Sequence, residues 1–221
     1  VQRIRSVEAG APPRAAREAT TLRALYGIEP TSRLRASRTA LVLVDFQDEF
    51  FHGKIAIPEA ERAATRAAEL LAWARRSGMV VAHVRNVARP GSLIFAPGST
   101  TTEFVPELRP DGRELVVTKP TGGAFTKTDL DAQLRARGVD TLVVAGIMAH
   151  LAVAMSAQDG AVLGYRVLVA SDATATRDLP EATGDALIDR DTLARASLAA
   201  VADRFADVMP TARIVALPLE P

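Results

Sequence analysis

Apolar residues fall along this chain in short, nearly continuous runs separated by longer stretches with helical spacing. The runs are Thr39–Asp45, Met79–Val84, Leu115–Thr118, Thr141–Ala145, Tyr165–Ala170 and Arg213–Leu217. Several are rich in β-branched residues, the composition of strands buried on both faces, so six strands are predicted. Between them, Glu59 to Arg76 repeats Ala60, Ala63, Ala67, Leu70, Leu71 and Ala74 on one helical face before Gly78 supplies a stop. A short helix is predicted from Thr128 to Gly138, with Thr128 and Asp131 exchanging capping bonds and Leu130 and Leu134 sharing a face. A third covers Ala149 to Leu163, and Leu193, Leu198, Val201, Phe205 and Val208 mark the inward stripe of the last. This alternation predicts an α/β fold in three layers, α/β/α, around a mainly parallel six-stranded sheet.

Residues 1–37 read as an N-terminal arm. Gly10, Pro12, Pro13, Gly27 and Pro30 interrupt it, only Ala16–Leu25 has the composition of a helix, and packing on the body or on a partner subunit is expected. Residues 38–221 form one domain. Two segments, 86–112 and 172–190, carry too many turn-forming residues for simple crossovers and are predicted to frame a site, because open parallel sheets bind ligands beyond the carboxyl ends of their strands.

Composition narrows the partners. The 221 residues include 27 basic and 26 acidic side chains, neither gathered into a run, which argues against nucleic acid and against an acidic membrane surface and leaves small molecules. No apolar segment reaches the roughly 20 residues that cross a bilayer, and the opening Val1-Gln-Arg-Ile-Arg lacks a signal-peptide core, so a cytoplasmic location is expected. The chain has no cysteine, which excludes disulfides and thiolate metal sites.

Two polar residues interrupt the apolar pattern where ligands bind in such sheets. Asp45 ends the first strand and Lys119 follows the third, so both are placed at the carboxyl edge, where the ammonium would hold the carboxylate ionised. A turn-capping aspartate and a solvent-facing ion pair are the structural alternatives. His52 and His83 form no compact ligand pattern with acidic neighbours, so no required metal is predicted. Gly122-Gly123 and Lys127 lack the strand, glycine-rich loop and helix of a phosphate cradle and read as turn residues. Phe50, Phe51, Phe95, Phe104 and Phe125 are candidates for the apolar walls of a pocket, or simply for the core.

The stretches Leu41-Val-Leu-Val-Asp-Phe-Gln47, Val117-Thr-Lys-Pro120 with Ala124-Phe125 and Thr128-Asp-Leu130, and Val144-Ala-Gly-Ile-Met-Ala-His150 resemble the isochorismatase-like hydrolase superfamily. Gly164-Tyr165, Asp172 to Pro180 and Ala202-Asp-Arg-Phe205 extend the resemblance over roughly residues 30–217. It implies a Rossmann-like hydrolase, commonly a dimer or tetramer, with no cofactor. Its site would comprise Asp45, Lys119 and the position held here by Ala152, with Gln47, Phe50, Phe125 and His150 as pocket residues. The resemblance further implies a cis peptide between Ile147 and Met148, with the backbone N–H groups of Met148 and Ala152 turned toward an oxyanion. For His150 a packing or capping role is the competing reading, since it does not share a helical face with Ala152.

Ala152 separates two mechanistic branches of this resemblance. In the cysteine hydrolases, which include amidases, the matching residue is a cysteine that attacks a carbonyl, a step alanine cannot perform. In the enol-ether branch the matching residue need not be cysteine, and Asp45 would act as the acid while Lys119 positions an anionic substrate. Met148-Ala-His-Leu-Ala-Val153 with Thr174 to Pro180 is most similar to the cysteine branch, whereas Ser156, Gln158, Asp159 and Gly160 depart from it. An amide-hydrolase scaffold with an introduced or natural alanine, an enol-ether hydrolase and a noncatalytic binding protein are the three readings the sequence leaves.

Overall fold

The structure, a computed structural model, describes residues 20–221. In chain order its first half comprises α1 (Leu22–Leu25), β1 (Leu34–Arg35), β2 (Thr39–Val44), α2 (Ala60–Arg76), β3 (Val80–Asn86), β4 (Leu115–Lys119) and α3 (Leu130–Arg135). There follow β5 (Thr141–Ile147), α4 (Ala154–Val162), β6 (Arg166–Ala175), β7 (Leu179–Pro180), β8 (Leu187–Ile188), α5 (Arg190–Arg204), β9 (Asp207–Met209), α6 (Thr211–Val215) and β10 (Leu219–Glu220). Six of these strands form one sheet in the order β4-β3-β2-β5-β6-β9, every neighbouring pair parallel.

Strand residues alternate between two cores, which is why the runs are apolar throughout. Leu41 and Leu43 of β2, Val143, Ala145 and Ile147 of β5, and Leu168 and Ala170 of β6 face the core shared with α2 and α6. Ala40, Val42 and Val44, Leu142 and Val144, and Val167 and Val169 face the core shared with α3 and α4. Buried alanines at 60, 63, 64, 67 and 74 give α2 a thin apolar face that lets it lie close to the sheet. The three layers and the parallel six-stranded sheet are thus as the sequence predicts.

Four details differ. Arg213–Leu217 is not the sixth strand: residues 211–215 form α6, and the sixth strand is β9. Pro210 precedes the helix, and the Thr211 N–H and hydroxyl both donate to Asp172 Oδ1, at 2.7 and 2.8 Å, fixing its start. A run as short as Ile214-Val-Ala-Leu217 does not distinguish helix from strand by period alone. The capping exchange between Thr128 and Asp131 is also not formed, since the Thr128 hydroxyl donates to Ala124 O and Asp131 Oδ1 accepts from the Tyr165 hydroxyl. The stripe read for the last helix is only partly inward: Val201 is buried, Leu193, Leu198 and Phe205 are half-buried, and Val208 belongs to β9. The third helix opens with a wide π turn, Ala149–Val153, before α4 begins.

Residues 1–19 of the arm, with the start of its expected helix Ala16–Leu25, lie outside the described residues. The described part is stitched to the body's last segments. Leu34 and Arg35 pair with Leu219 and Glu220, and Arg23 meets Asp207 at 2.7 Å with both side chains largely buried.

Gly146 determines how closely β5 approaches β2. A Cβ at this position would lie 2.4 Å from Val44 O and 2.7 Å from Val44 Cβ, so backbone as well as side chain would have to move. Gly146→Ala should therefore destabilise the protein by about 1–3 kcal/mol, the usual cost of overpacking, lowering the melting temperature by several degrees. A thermal melt in which this variant matches the parent contradicts the close-approach account.

Candidate active site

The strand order reverses direction between β2 and β5: the chain goes from β2 outward to β3 and β4, then returns to add β5 on the other side of β2. Crevices at such a reversal, beyond the carboxyl ends of the strands, are where open parallel sheets bind ligands. Asp45 follows β2 directly and Met148 follows β5 directly, so these two residues stand on the two sides of the crevice.

Asp45 leaves the strand with φ of 58°, a left-handed conformation that aspartate tolerates better than most residues. Its N–H still donates to Val84 O at 2.8 Å, so the ladder to β3 extends to the turn itself. Lys119, the last residue of β4, reaches past β3 to place Nζ 2.7 Å from Asp45 Oδ2, and the same ammonium donates to Gly122 O at 2.7 Å. Both side chains of this pair are buried, and Asp45 Oδ1 has no partner among the described residues. Burial pushes the Asp45 carboxyl up to about 6, against the opposing pull of the Lys119 charge and hydrogen bond.

The third element is the turn after β5. The Ile147–Met148 peptide is cis, and the π turn that follows carries Ala152, itself buried. The N–H groups of Leu151 and Val153 both donate to Met148 O, which closes the turn onto the end of the strand.

Asp45, Lys119 and Ala152 line one cavity of about 290 Å³. Phe50, Ile55, Ala88, Ile94, Phe95, Ile147, Met148 and Leu151 supply apolar wall, and Asn86, Ser92, Thr121 and Gly122 supply the remaining polar surface. A larger, more open groove of about 690 Å³ lies at the opposite end of the sheet, beside Thr141 and Arg166 at the starts of β5 and β6. It lies away from the switch point and from the Asp45–Lys119 pair, so the smaller cavity is the candidate site.

The structure brings together the three central residues read from the sequence, with Met148 and Phe50 beside them. It places the other pocket candidates elsewhere. Gln47 is fully buried as a clamp: its Nε2 donates to Asn86 O at 2.9 Å and Thr102 O at 2.8 Å, and its Oε1 accepts from Asn86 N–H at 2.7 Å. Phe125 stacks on Tyr165 and does not line the cavity. His150 Nδ1 lies 2.5 Å from the Thr176 hydroxyl, tying the π turn to the end of β6, and burial with the nearby Arg177 charge lowers its pKa. Of the two loops predicted to frame the site, 86–112 contributes Ala88, Ser92, Ile94 and Phe95, whereas 172–190 contributes no lining residue. Asn86, the first residue of the 86–112 segment, is not singled out by the sequence, and Gly122, a turn residue as expected with φ of 74°, also supplies the carbonyl that accepts from Lys119.

With this geometry in hand, comparison with known proteins is direct. Residues 39–213 match the family model described as the isochorismatase domain. The chain belongs to the isochorismatase family. It is 33% identical over 186 residues, 84% of this chain and 94% of the relative, to a protein of Verticillium dahliae named secreted isochorismatase effector Isc1. It is 41% identical over 143 residues to a streptothricin hydrolase of Streptomyces noursei, a match covering 65% of this chain and 51% of that one. Among solved structures, a cysteine hydrolase from Pseudomonas syringae pv. phaseolicola superposes with a TM-score of 0.79 at 29% identity, covering 85% of this chain and 96% of the other. Membership makes this a hydrolase-family protein. Among the described residues no helix is long and apolar enough to cross a membrane, and because one relative is named a secreted effector, membership does not assign a cytoplasmic location.

The carboxylate raised to about 6 gives a signed expectation. The stability contributed by the Asp45 proton is fully present below the unfolded value near 3.8 and is lost as pH rises through about 6, so Asp45→Asn should remove this component of the stability profile. Lys119→Met removes the groups that hold the carboxyl down, and carboxyl-carbon NMR should show the Asp45 midpoint moving above about 6. A downward move would contradict the pairing.

Proposed function

We propose that this protein is a small-molecule hydrolase whose cavity is an amide-hydrolase site with Ala152 at the position of the attacking thiol and Asp45 as the proton-transfer group. The observation that carries the reading is the state of Asp45, a buried carboxylate with Oδ2 held by Lys119 and Oδ1 unpartnered in a ligand-sized cavity. A desolvated acceptor of this kind is costly for folding alone, and its perturbed titration near neutrality suits a group that takes up and returns protons. Similarity to a solved structure of N-carbamoylsarcosine amidase, from Thermoplasma acidophilum, supports the amide assignment.

In a chain bearing cysteine at 152, the thiol would pass its proton to Asp45 and attack the carbonyl carbon. The backbone N–H groups of Met148 and residue 152 would receive the oxyanion, Asp45 would protonate the leaving amine, and water would release the acyl group. Alanine removes the attack but leaves the carboxylate, the ammonium and the cavity. The chain as it stands therefore binds its substrate and hydrolyses it slowly, with Asp45 taking the proton of an attacking water. An anionic enol ether suits this cavity less, because among the described residues Lys119 is the one cationic side chain in its lining and is already paired. Assembly as a dimer or tetramer is part of the same proposal, and light scattering measures it.

The test is Ala152→Cys. The introduced thiol should be alkylated rapidly by iodoacetamide, because a nearby ammonium and helix-start N–H groups favour the thiolate. A panel of small carboxamides should then give an acyl adduct by intact mass and turnover well above the parent. Adding Asp45→Asn to that variant should reduce turnover by about 10²-fold or more, the typical worth of a general acid–base group. A correctly folded variant with an inert thiol and no turnover on any amide rejects the reading.

A further inference from the structure

Two buried acceptors line the cavity without partners among the described residues: Asp45 Oδ1 and Asn86 Oδ1. Asn86 ends β3 and stands in register with Lys119 of β4, which places it next to the ion pair. Its structural bonds are all made by its backbone, whose N–H and C=O are both taken by the Gln47 side chain. The side-chain amide takes no part in that clamp. A buried amide oxygen left without a donor is unfavourable unless a bound molecule supplies one.

The charges around it sharpen the requirement. Asp45 and Lys119 neutralise one another at 2.7 Å, the Lys119 ammonium also donates to Gly122 O, and among the described residues no other ionic side chain lines the cavity. A bound carboxylate would bring lone pairs against two acceptors and a charge without a free counter-ion. A neutral carboxamide or ureido group brings N–H donors and no net charge. The remaining wall, including Phe50, Ile94, Phe95 and Leu151, suits a compact apolar body behind that group.

We propose that Asn86 is a specificity-determining residue, which together with Asp45 Oδ1 selects neutral N–H-bearing molecules over carboxylates of the same shape. The proposal takes from the proposed function only that this cavity is the ligand site, and it does not depend on the chemistry at Ala152. Because the Gln47 clamp holds the Asn86 backbone, replacing the side chain should leave the loop in place.

Calorimetric titration of the parent chain at neutral pH with benzamide and with benzoate tests it. Benzamide should bind at least about tenfold more tightly, the equivalent of one to two well-made hydrogen bonds. Asn86→Leu should lower benzamide affinity by about tenfold and change benzoate affinity by less than about threefold, so that the preference collapses. Asn86→Asp, nearly isosteric, should shift the preference toward the cation benzamidine, and it serves equally if the leucine variant fails to fold. A parent that does not prefer benzamide overturns the proposal, as do folded variants that weaken both ligands alike. If Ala152→Cys gains amidase activity while Asn86 variants leave the preference intact, the proposal fails and the hydrolase reading stands. If the preference collapses while Ala152→Cys stays inert, the proposal stands and the hydrolase reading fails.

Discussion

The buried ion pair between Asp45 and Lys119 is the constraint on which the site depends. With Nζ and Oδ2 2.7 Å apart and both side chains out of water, neither charge would be tolerated alone, and removing one partner of such a pair costs about 3–5 kcal/mol. The pair ties the end of β2 to the end of β4 across the intervening β3. It also requires the chain after β4 to turn back, because the ammonium takes the Gly122 carbonyl as its second acceptor. That return brings Gly123 so close to the next layer that a Cβ there would lie 2.9 Å from Ser156 N. Ser156 then accepts from Ala124 N–H at 2.8 Å and donates to Ala152 O at 2.6 Å. One electrostatic contact is thus continued through a tight turn and a buried hydroxyl to the residue where a nucleophile would stand.

The parts of the molecule legible in the sequence are those governed by burial. Four strands announce themselves because both faces are largely covered, the edge strand β4 by its apolar run although one face is exposed, and Asp45 and Lys119 stand out because each is the first ionic residue after such a run. The helix read over residues 59–76 is legible for the same reason, since its small residues recur on one face. What escaped is governed by partners distant in the chain. Nothing near Arg213 says that Asp172 will bond the Thr211 N–H and start a helix there. Nothing near Thr128 says that Tyr165 will occupy Asp131. Gln47 and Asn86 exchanged roles for this reason: the glutamine in the motif is consumed by backbone groups, and the unremarkable strand-terminal asparagine keeps a free side chain.

Ser156 shows how a departure from an expected pattern can be structural. The sequence marks it as unusual among the residues following the turn, and the structure gives it two hydrogen bonds in a fully buried position. Replacing it by alanine would leave the Ala124 N–H without its acceptor in the interior. Gly160, another departure, packs with 2.9 Å between its would-be Cβ and Leu142 Cδ1, so helix α4 lies close against β5 where a larger residue would push it away.

The Gln47 clamp bears on how freely the neighbouring segment can change. One side chain holds Asn86 by both backbone groups and Thr102 by its carbonyl, and Asp48 N–H and Val105 N–H add bonds to Glu103 O and Phe46 O. The excursion between Asn86 and Thr102, which supplies Ala88, Ser92, Ile94 and Phe95 to the cavity, is therefore pinned at both ends by bonds that do not involve its own side chains. Insertions and substitutions within it can reshape one wall of the cavity without disturbing the strand ends that hold the carboxylate and the ammonium. The segment is in effect a replaceable cassette, able to vary in length and side chains while the Asp45–Lys119 pair keeps its geometry.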